Sequence, residues 1–233
     1  MTTLFYFFRG SVVADTKFLQ LDNNSETIWI YDFTEEVATD FHEKVLAKFE
    51  DNPHKPITIN INSFGGEVTS LLAMLDTMDY IRGIAPEDFY FITVAKGKAI
   101  SAGAMMLSYG DFRFAEPKSQ IMIHQVVGGV FGSHPENESE FQEIDRMNQL
   151  LLSLLQKRCK LNTTMKELKE LLAHNLYLTP QEAKTFGLVD IVGYPKVVEF
   201  KAYELQVVNE EVATKGSKSA DRRTNKKSTS RKS

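Results

Sequence analysis

Cysteine is almost missing from this chain: Cys159 is the only one in 233 residues. No intrachain disulfide can form, and no zinc site can be built on cysteines. The expectation is a reducing, cytoplasmic setting. Long apolar runs are missing too. None approaches the roughly 20 residues that cross a bilayer, so no membrane span is expected. The first residues lack the basic stretch of a secretory leader, and their aromatic cluster, Leu4 to Phe8, reads as a strand or an arm. His42, His54, His134 and His174 are scattered without ligand spacing, so no metal site is expected. No internal repeat is visible.

Charge of one sign is missing from only one place. From Thr214 to Ser233 there are eight Lys or Arg against Asp221 alone, a net +7 that leaves the body at −11 beneath the overall −4. This end has no aromatic and only Ala220 to bury, so it cannot offset the entropy of ordering. It reads as a solvated tail, whose sole expected nucleic-acid role is a weak contact.

Between these ends, strands and helices alternate. Thr27 to Tyr31 alternates as a strand, and Thr34 with Glu35 and Glu36 opens a helix through Val37, Phe41, Val45, Leu46 and Phe49. Ile57 to Ile61 is a β-rich strand, Glu67 to Ile81 a helix, and Phe89 to Ala95 a strand that ends in a small-residue turn, Lys96 to Ile100. A short helix begins at Ser101. Arg113 to Phe114 and Gln120 to Ile123 read as strands, Glu136 to Lys160 as one long helix, and Thr163 to Ala173 as another. Thr179 and Pro180 start a helix that Gly187 closes before a strand, Leu188 to Val192. Val197 to Val208 reads as a final strand pair. The alternation makes the fold class α/β.

Two turns carry candidate chemistry. Gly65 and Gly66 stand between a strand and a helix, where backbone can approach a ligand closely; a tight structural turn would need the same residues. Ser101 stands where a strand hands over to a helix, among Gly97, Ala99, Ala102, Gly103 and Ala104. A sharp turn there exposes Oγ and aims the next N–H at an oxyanion, although a serine at a helix start is also an ordinary cap. His124 follows the apolar strand Ile121 to Ile123, 23 positions beyond Ser101. Serine at a turn, histidine at a strand end and a backbone donor turn together match the parts needed for acyl transfer.

Four segments then resemble one family, the caseinolytic (Clp) peptidase subunits. Asn62-Ser63-Phe64-Gly65-Gly66-Glu67-Val68 resembles its INSPGG-x-V segment, and Lys98-Ala99-Ile100-Ser101-Ala102-Gly103-Ala104 its QAASMGA nucleophile segment. Met122-Ile123-His124-Gln125 equals its MIHQ, and Glu182-Ala183 with Gly187-Leu188-Val189-Asp190 resembles its EA…GLVD ending. Order and spacing agree from about Thr27 to Ile191. The resemblance implies a ClpP/crotonase-like spiral of repeated ββα units with a long protruding handle helix, about 136–160. It divides the chain into a divergent N-terminal arm (1–26), a peptidase domain (27–193), an extension (194–213) and the basic tail (214–233).

The same resemblance implies a serine endopeptidase with Ser101 as nucleophile and His124 as base. Gly66 and Ala102 would supply the oxyanion N–H groups. Gly65, Glu67 and Val68 on one edge, and Gln125, Val126 and Val127 on the other, would bind unfolded polypeptide as an added strand. It implies a homo-oligomer of stacked heptameric rings, fed by an AAA+ unfoldase that alone uses ATP, with no cofactor in the subunit itself. The third triad position falls on Asn175, where the family has aspartate. Asparagine can accept a hydrogen bond from the imidazole but supplies no negative charge. Leu176 replaces the family arginine of the ring contacts, Phe64 the proline and Lys98 the glutamine. A catalytically weak structural or regulatory subunit is the alternative, favoured by Asn175 and Leu176. An acyl-CoA enzyme of the crotonase fold would need carboxylates at the site, and no matching pair is present.

Overall fold

Residues 5–8, 11–16, 26–129 and 133–194 are described by the computed structural model, and all lie in the first of the chain's two units, Met1–Glu199. β1 (Phe5–Phe8) and β2 (Ser11–Thr16) form an antiparallel pair within the expected arm. After β3 (Glu26–Ile30), Thr34 caps α1 (Glu35–Asp51): its Oγ1 accepts from the Val37 N–H at 3.3 Å. Glu35 and Glu36 add favourable charge at the positive end of that helix. α1 buries Ala38, Phe41 and Val45.

β4 (Ile57–Ser63) is buried along nearly its whole length, as a central parallel strand must be. Ile57, Ile59 and Ile61 are almost fully enclosed, each removing apolar surface from water worth about 2 kcal/mol. α2 (Val68–Ile84) runs past the expected end at Ile81. Gly83 does not stop it; Pro86 does, by forcing Ala85 into an extended conformation with ψ 149°.

β5 (Phe91–Ile100) corrects the expected turn at Lys96 to Ile100, which is strand throughout. Gly97, at φ +83°, lies where the register with β4 shifts between Ile61 and Ser63. The chain therefore bulges and continues rather than turning. α3 (Ala102–Ser108), β6 (Phe112–Ala115) and β7 (Gln120–Ile123) follow. α4 (His134–Arg158) starts two residues before the expected Glu136, because Ser133 caps it with Glu136 closing the box. α5 (Met165–Leu171) is shorter than expected, bounded by a capping box of Thr164 and Glu167. β8 (Leu176–Leu178) leads to α6 (Pro180–Phe186), which begins at Thr179 and ends at Gly187 in the left-handed conformation, as read from sequence. The closing strand β9 is only Ile191–Val192. Leu188 and Val189 enter the core instead, and Asp190 binds the Arg113 guanidinium at 2.6 Å and 3.0 Å.

The sheet order is β3-β4-β5-β6-β9, with every one of these neighbours parallel. The fold is thus α/β with a mostly parallel sheet and a long helix, as the sequence resemblance implied. β5 changes partner along its length: Ile92 to Ala95 pair with β6, and Lys98 to Ile100 pair with β7. β8 then adds to β7 antiparallel. The ends of β5 and β7 and the start of β8 consequently meet at one end of the sheet. Among the described residues no helix is long and apolar enough to cross a membrane. The expected strand pair at Val197 to Val208 and the basic tail lie outside the described residues.

Candidate active site

Ser101 occupies the step from β5 to α3 with φ 56° and ψ −120°. Only Lys160 shares a positive φ among the described residues other than glycine. Such a conformation costs on the order of 1–3 kcal/mol and persists only where the surroundings over-determine it. Here they do. The Ser101 N–H donates to the Met122 carbonyl at 2.8 Å, and its carbonyl accepts from Ala104 and Met105 at the start of α3. The side chain makes no capping bond to that helix, so the capping explanation of Ser101 does not hold.

Small residues are needed around this turn for steric reasons. A Cβ on Gly65 would lie 2.7 Å from the Ser101 Cβ and 3.1 Å from the Ala102 nitrogen. Gly65 itself is at φ +101°, and its N–H donates to Ser63 Oγ at 3.0 Å. A Cβ on Gly66 would meet the Phe33 carbonyl oxygen at 2.4 Å. The two glycines therefore bring one backbone segment against the nucleophile turn and against Phe33 at once. Among the described residues, the Gly66 and Ala102 N–H groups donate to no protein acceptor, which leaves two backbone donors beside Ser101.

His124 follows β7 directly and is half-buried. A cavity of about 210 Å³ is lined by Ser101, His124, Gly66 and Ala102 together with Val68, Gln125, Val126 and Val127. Its far wall is apolar, from Leu71, Met105, Leu151, Leu155 and Leu172. Asn175 does not line it and is exposed. The antiparallel register nevertheless pairs Ile123 with Leu176, so His124 and Asn175 are the next residues beyond the two strand ends that meet there. No hydrogen bond joins His124 to Ser101 or to Asn175 among the described residues. Catalytic hydrogen bonds are often loose in a free enzyme and tighten on binding.

Of the remaining expected site residues, Gly65 is buried behind the turn and Glu67 is exposed, its carboxylate accepting from Ser70 Oγ at 2.7 Å. The Glu67 N–H already donates to the Phe33 carbonyl at 2.8 Å, and the Val126 N–H to Asn148 Oδ1 at 3.2 Å. Glu67 and Val126, two of the expected substrate-binding residues, therefore already engage their N–H groups within the chain. Sequence reading missed the apolar wall and Asn148, which sits on α4 and lines the cavity. The other thiol or hydroxyl of note, Cys159, is buried, and burial pushes its thiol up to about 11, which keeps it protonated at neutral pH.

The Clp protease family model matches residues 10–196, the greater part of the chain. That span takes in the whole stretch over which the four segments agree, and adds residues 10–26 before it.

Proposed function

The chain belongs to the Clp protease family, and from that premise we propose that it is an active serine endopeptidase subunit cutting unfolded polypeptides. The observation that carries this reading is the Ser101 turn: a serine held at positive φ, with two unengaged N–H groups beside it and His124 on the same cavity. Ser101 Oγ attacks the peptide carbonyl carbon while the His124 imidazole takes the hydroxyl proton. The carbonyl oxygen becomes an oxyanion, which the Gly66 and Ala102 N–H groups stabilise. His124 then gives the proton to the leaving amine, and water, deprotonated by the same imidazole, releases the acyl group. No metal or organic cofactor enters these steps.

Asn175, which directly precedes β8 as His124 directly follows β7, orients the imidazole through its amide oxygen in this proposal. Being neutral, it stabilises imidazolium less than a carboxylate would, which lowers the rate without abolishing it. The apolar wall of the cavity suits an apolar side chain next to the cut bond. Exposed Phe141 and Leu150 on α4 and exposed Val127 beside it suit burial against other copies of the chain. They support α4 as the handle of a closed, ring-stacked chamber in the cytoplasm. Feeding by an ATP-dependent unfoldase follows from the family alone.

A catalytically weak structural subunit is the second reading, and the absence of any His124 hydrogen bond among the described residues favours it. Labelling of the purified protein with a fluorophosphonate probe separates the two, with Ser101→Ala as control and peptide mapping to place the adduct. An adduct on Ser101 supports the peptidase. No adduct on folded, assembled protein supports the structural subunit. A monomeric mass in solution would count against the chamber.

A further inference from the structure

α4 buries one carboxamide among its apolar side chains. Asn148 is only 5 % exposed, one turn after Ile144 and one turn before Leu152. A buried amide is costly unless both of its ends are hydrogen-bonded, and here both are. Oδ1 accepts from the Val126 backbone N–H at 3.2 Å, and Nδ2 donates to Gln125 Oε1 at 2.7 Å. Gln125 carries the link onward: its Nε2 donates to the Lys169 carbonyl at 2.7 Å. That carbonyl lies in the last turn of α5, where a helix leaves carbonyls without internal partners. A backbone N–H at one end and a backbone carbonyl at the other fix the orientation of both carboxamides.

The link thus begins beside the proposed base and ends on the helix that precedes its proposed partner in the chain. Gln125 and Val126 directly follow His124, and Lys169 lies in the last turn of α5, which ends at Leu171, four positions before Asn175. No other polar side chain on α4 enters the cavity. We infer that Asn148 is a positioning residue for the peptidase reaction. It holds the backbone after His124 and, through Gln125, the end of α5 that precedes Asn175. This inference rests on the peptidase reading of the site. It accounts for an amide at a position where packing alone would favour leucine, since Leu151, Leu152 and Leu155 are its neighbours on the same helix.

The test uses the full-length protein with Asn148→Leu and Asn148→Asp. Leucine keeps the volume and removes both hydrogen bonds. Aspartate still accepts from the Val126 N–H but gives up the donor to Gln125. With the fold and native mass unchanged, Asn148→Leu is expected to slow fluorophosphonate labelling of Ser101 at 25 °C by roughly ten- to a hundredfold. Asn148→Asp is expected to fall between leucine and wild type. Amide hydrogen exchange at Val126 is expected to quicken by about tenfold or more in the leucine variant but not in the aspartate variant. A merely structural role would lower the melting temperature and leave the labelling rate of folded protein unchanged, and that result overturns the inference. Should wild type itself fail to label, the peptidase reading fails. Unchanged Val126 exchange in Asn148→Leu would then separately overturn the positioning role. Should Asn148→Leu not fold, Gln125→Met breaks the same link from its half-buried end and is judged by the same labelling and exchange criteria.

Discussion

The two halves of the candidate site are built in different ways. On the nucleophile side, backbone holds backbone: the Ser101 N–H is bonded to Met122, Gly65 is pressed behind it, and Gly66 is locked against Phe33. On the base side, His124 stands past the end of β7 with no hydrogen bond among the described residues, and Asn175 is exposed. The hold there is the side-chain link through Gln125 and Asn148. Preorganisation of the proposed oxyanion donors is therefore written into the single chain, whereas alignment of the proposed base depends on side chains that can be moved. Donors fixed before reaction cost no reorganisation during it, so this division puts rigidity where charge develops.

The hardest way to break the comparison is to remove its centre. Ser101→Ala is expected to cut peptide hydrolysis by a factor on the order of 10⁴ to 10⁶, with melting temperature unchanged or raised because the strained residue loses no packing. Peptidase assay and thermal unfolding check it.

Gly65→Ala should come next, because it attacks the rigid half through sterics alone. Its Cβ would lie 2.7 Å from the Ser101 Cβ at a φ of +101°. The backbone strain is about 1–3 kcal/mol, and displacement of the turn should slow Ser101 labelling by roughly a hundredfold. Denaturant unfolding and labelling kinetics measure the two effects separately. Wild-type labelling in this variant would show that the turn is less constrained than its contacts imply.

Asn175→Asp sharpens the other half. A carboxylate reaching His124 from this position would stabilise imidazolium, and the expected gain in kcat/KM is about ten- to a hundredfold. The acid limb of the pH profile should move at the same time, since the carboxylate raises the affinity of the imidazole for its proton. No gain would place Asn175 outside the reacting assembly.

The smallest effect is expected from the helix starts. Glu167 and Glu182 are held below the usual carboxylate range, first by the backbone N–H groups of Thr164 and Thr179 and then by their hydroxyls. In Glu136 the Ser133 hydroxyl contributes most, then its backbone N–H. Because their folded pKa values are depressed, their contribution is present above the unfolded carboxylate pKa. It is lost as pH falls through the folded one. Glu167→Gln should thus lower stability slightly near neutral pH, where that contribution is present, change it least in acid, and so flatten its decline as pH falls. Melting temperatures between about pH 3 and pH 7 follow it, and the change should weaken α5 ahead of the nucleophile turn.

Much of this organisation was legible in the chain. Thr34, Thr179, Pro180 and Gly187 mark helix ends because caps act within a few residues, and the observed boundaries agree. Ser101 and Gly66 stand out because a tight turn admits only certain residue types. Less legible were features set by neighbours distant in sequence. The turn expected at Lys96 to Ile100 is strand because β4 and β7 pair with it on either edge. Asn148 interrupts the apolar period of α4, a visible signal, but its partners lie 22 and 23 positions away.

The sequence by itself determined the local vocabulary: which residues cap, which turn sharply, which strands are buried on both faces, and which serine and histidine to set together. These follow from sterics and hydrogen bonding over a few residues. Tertiary structure alone decided that β5 changes partner from β6 to β7, and that β8 returns antiparallel so that Leu176, next to Asn175, pairs with Ile123, next to His124. It also decided that a helix amide holds the segment between them. Register and long-range pairing depend on how whole faces pack, and no short window of sequence contains that sum.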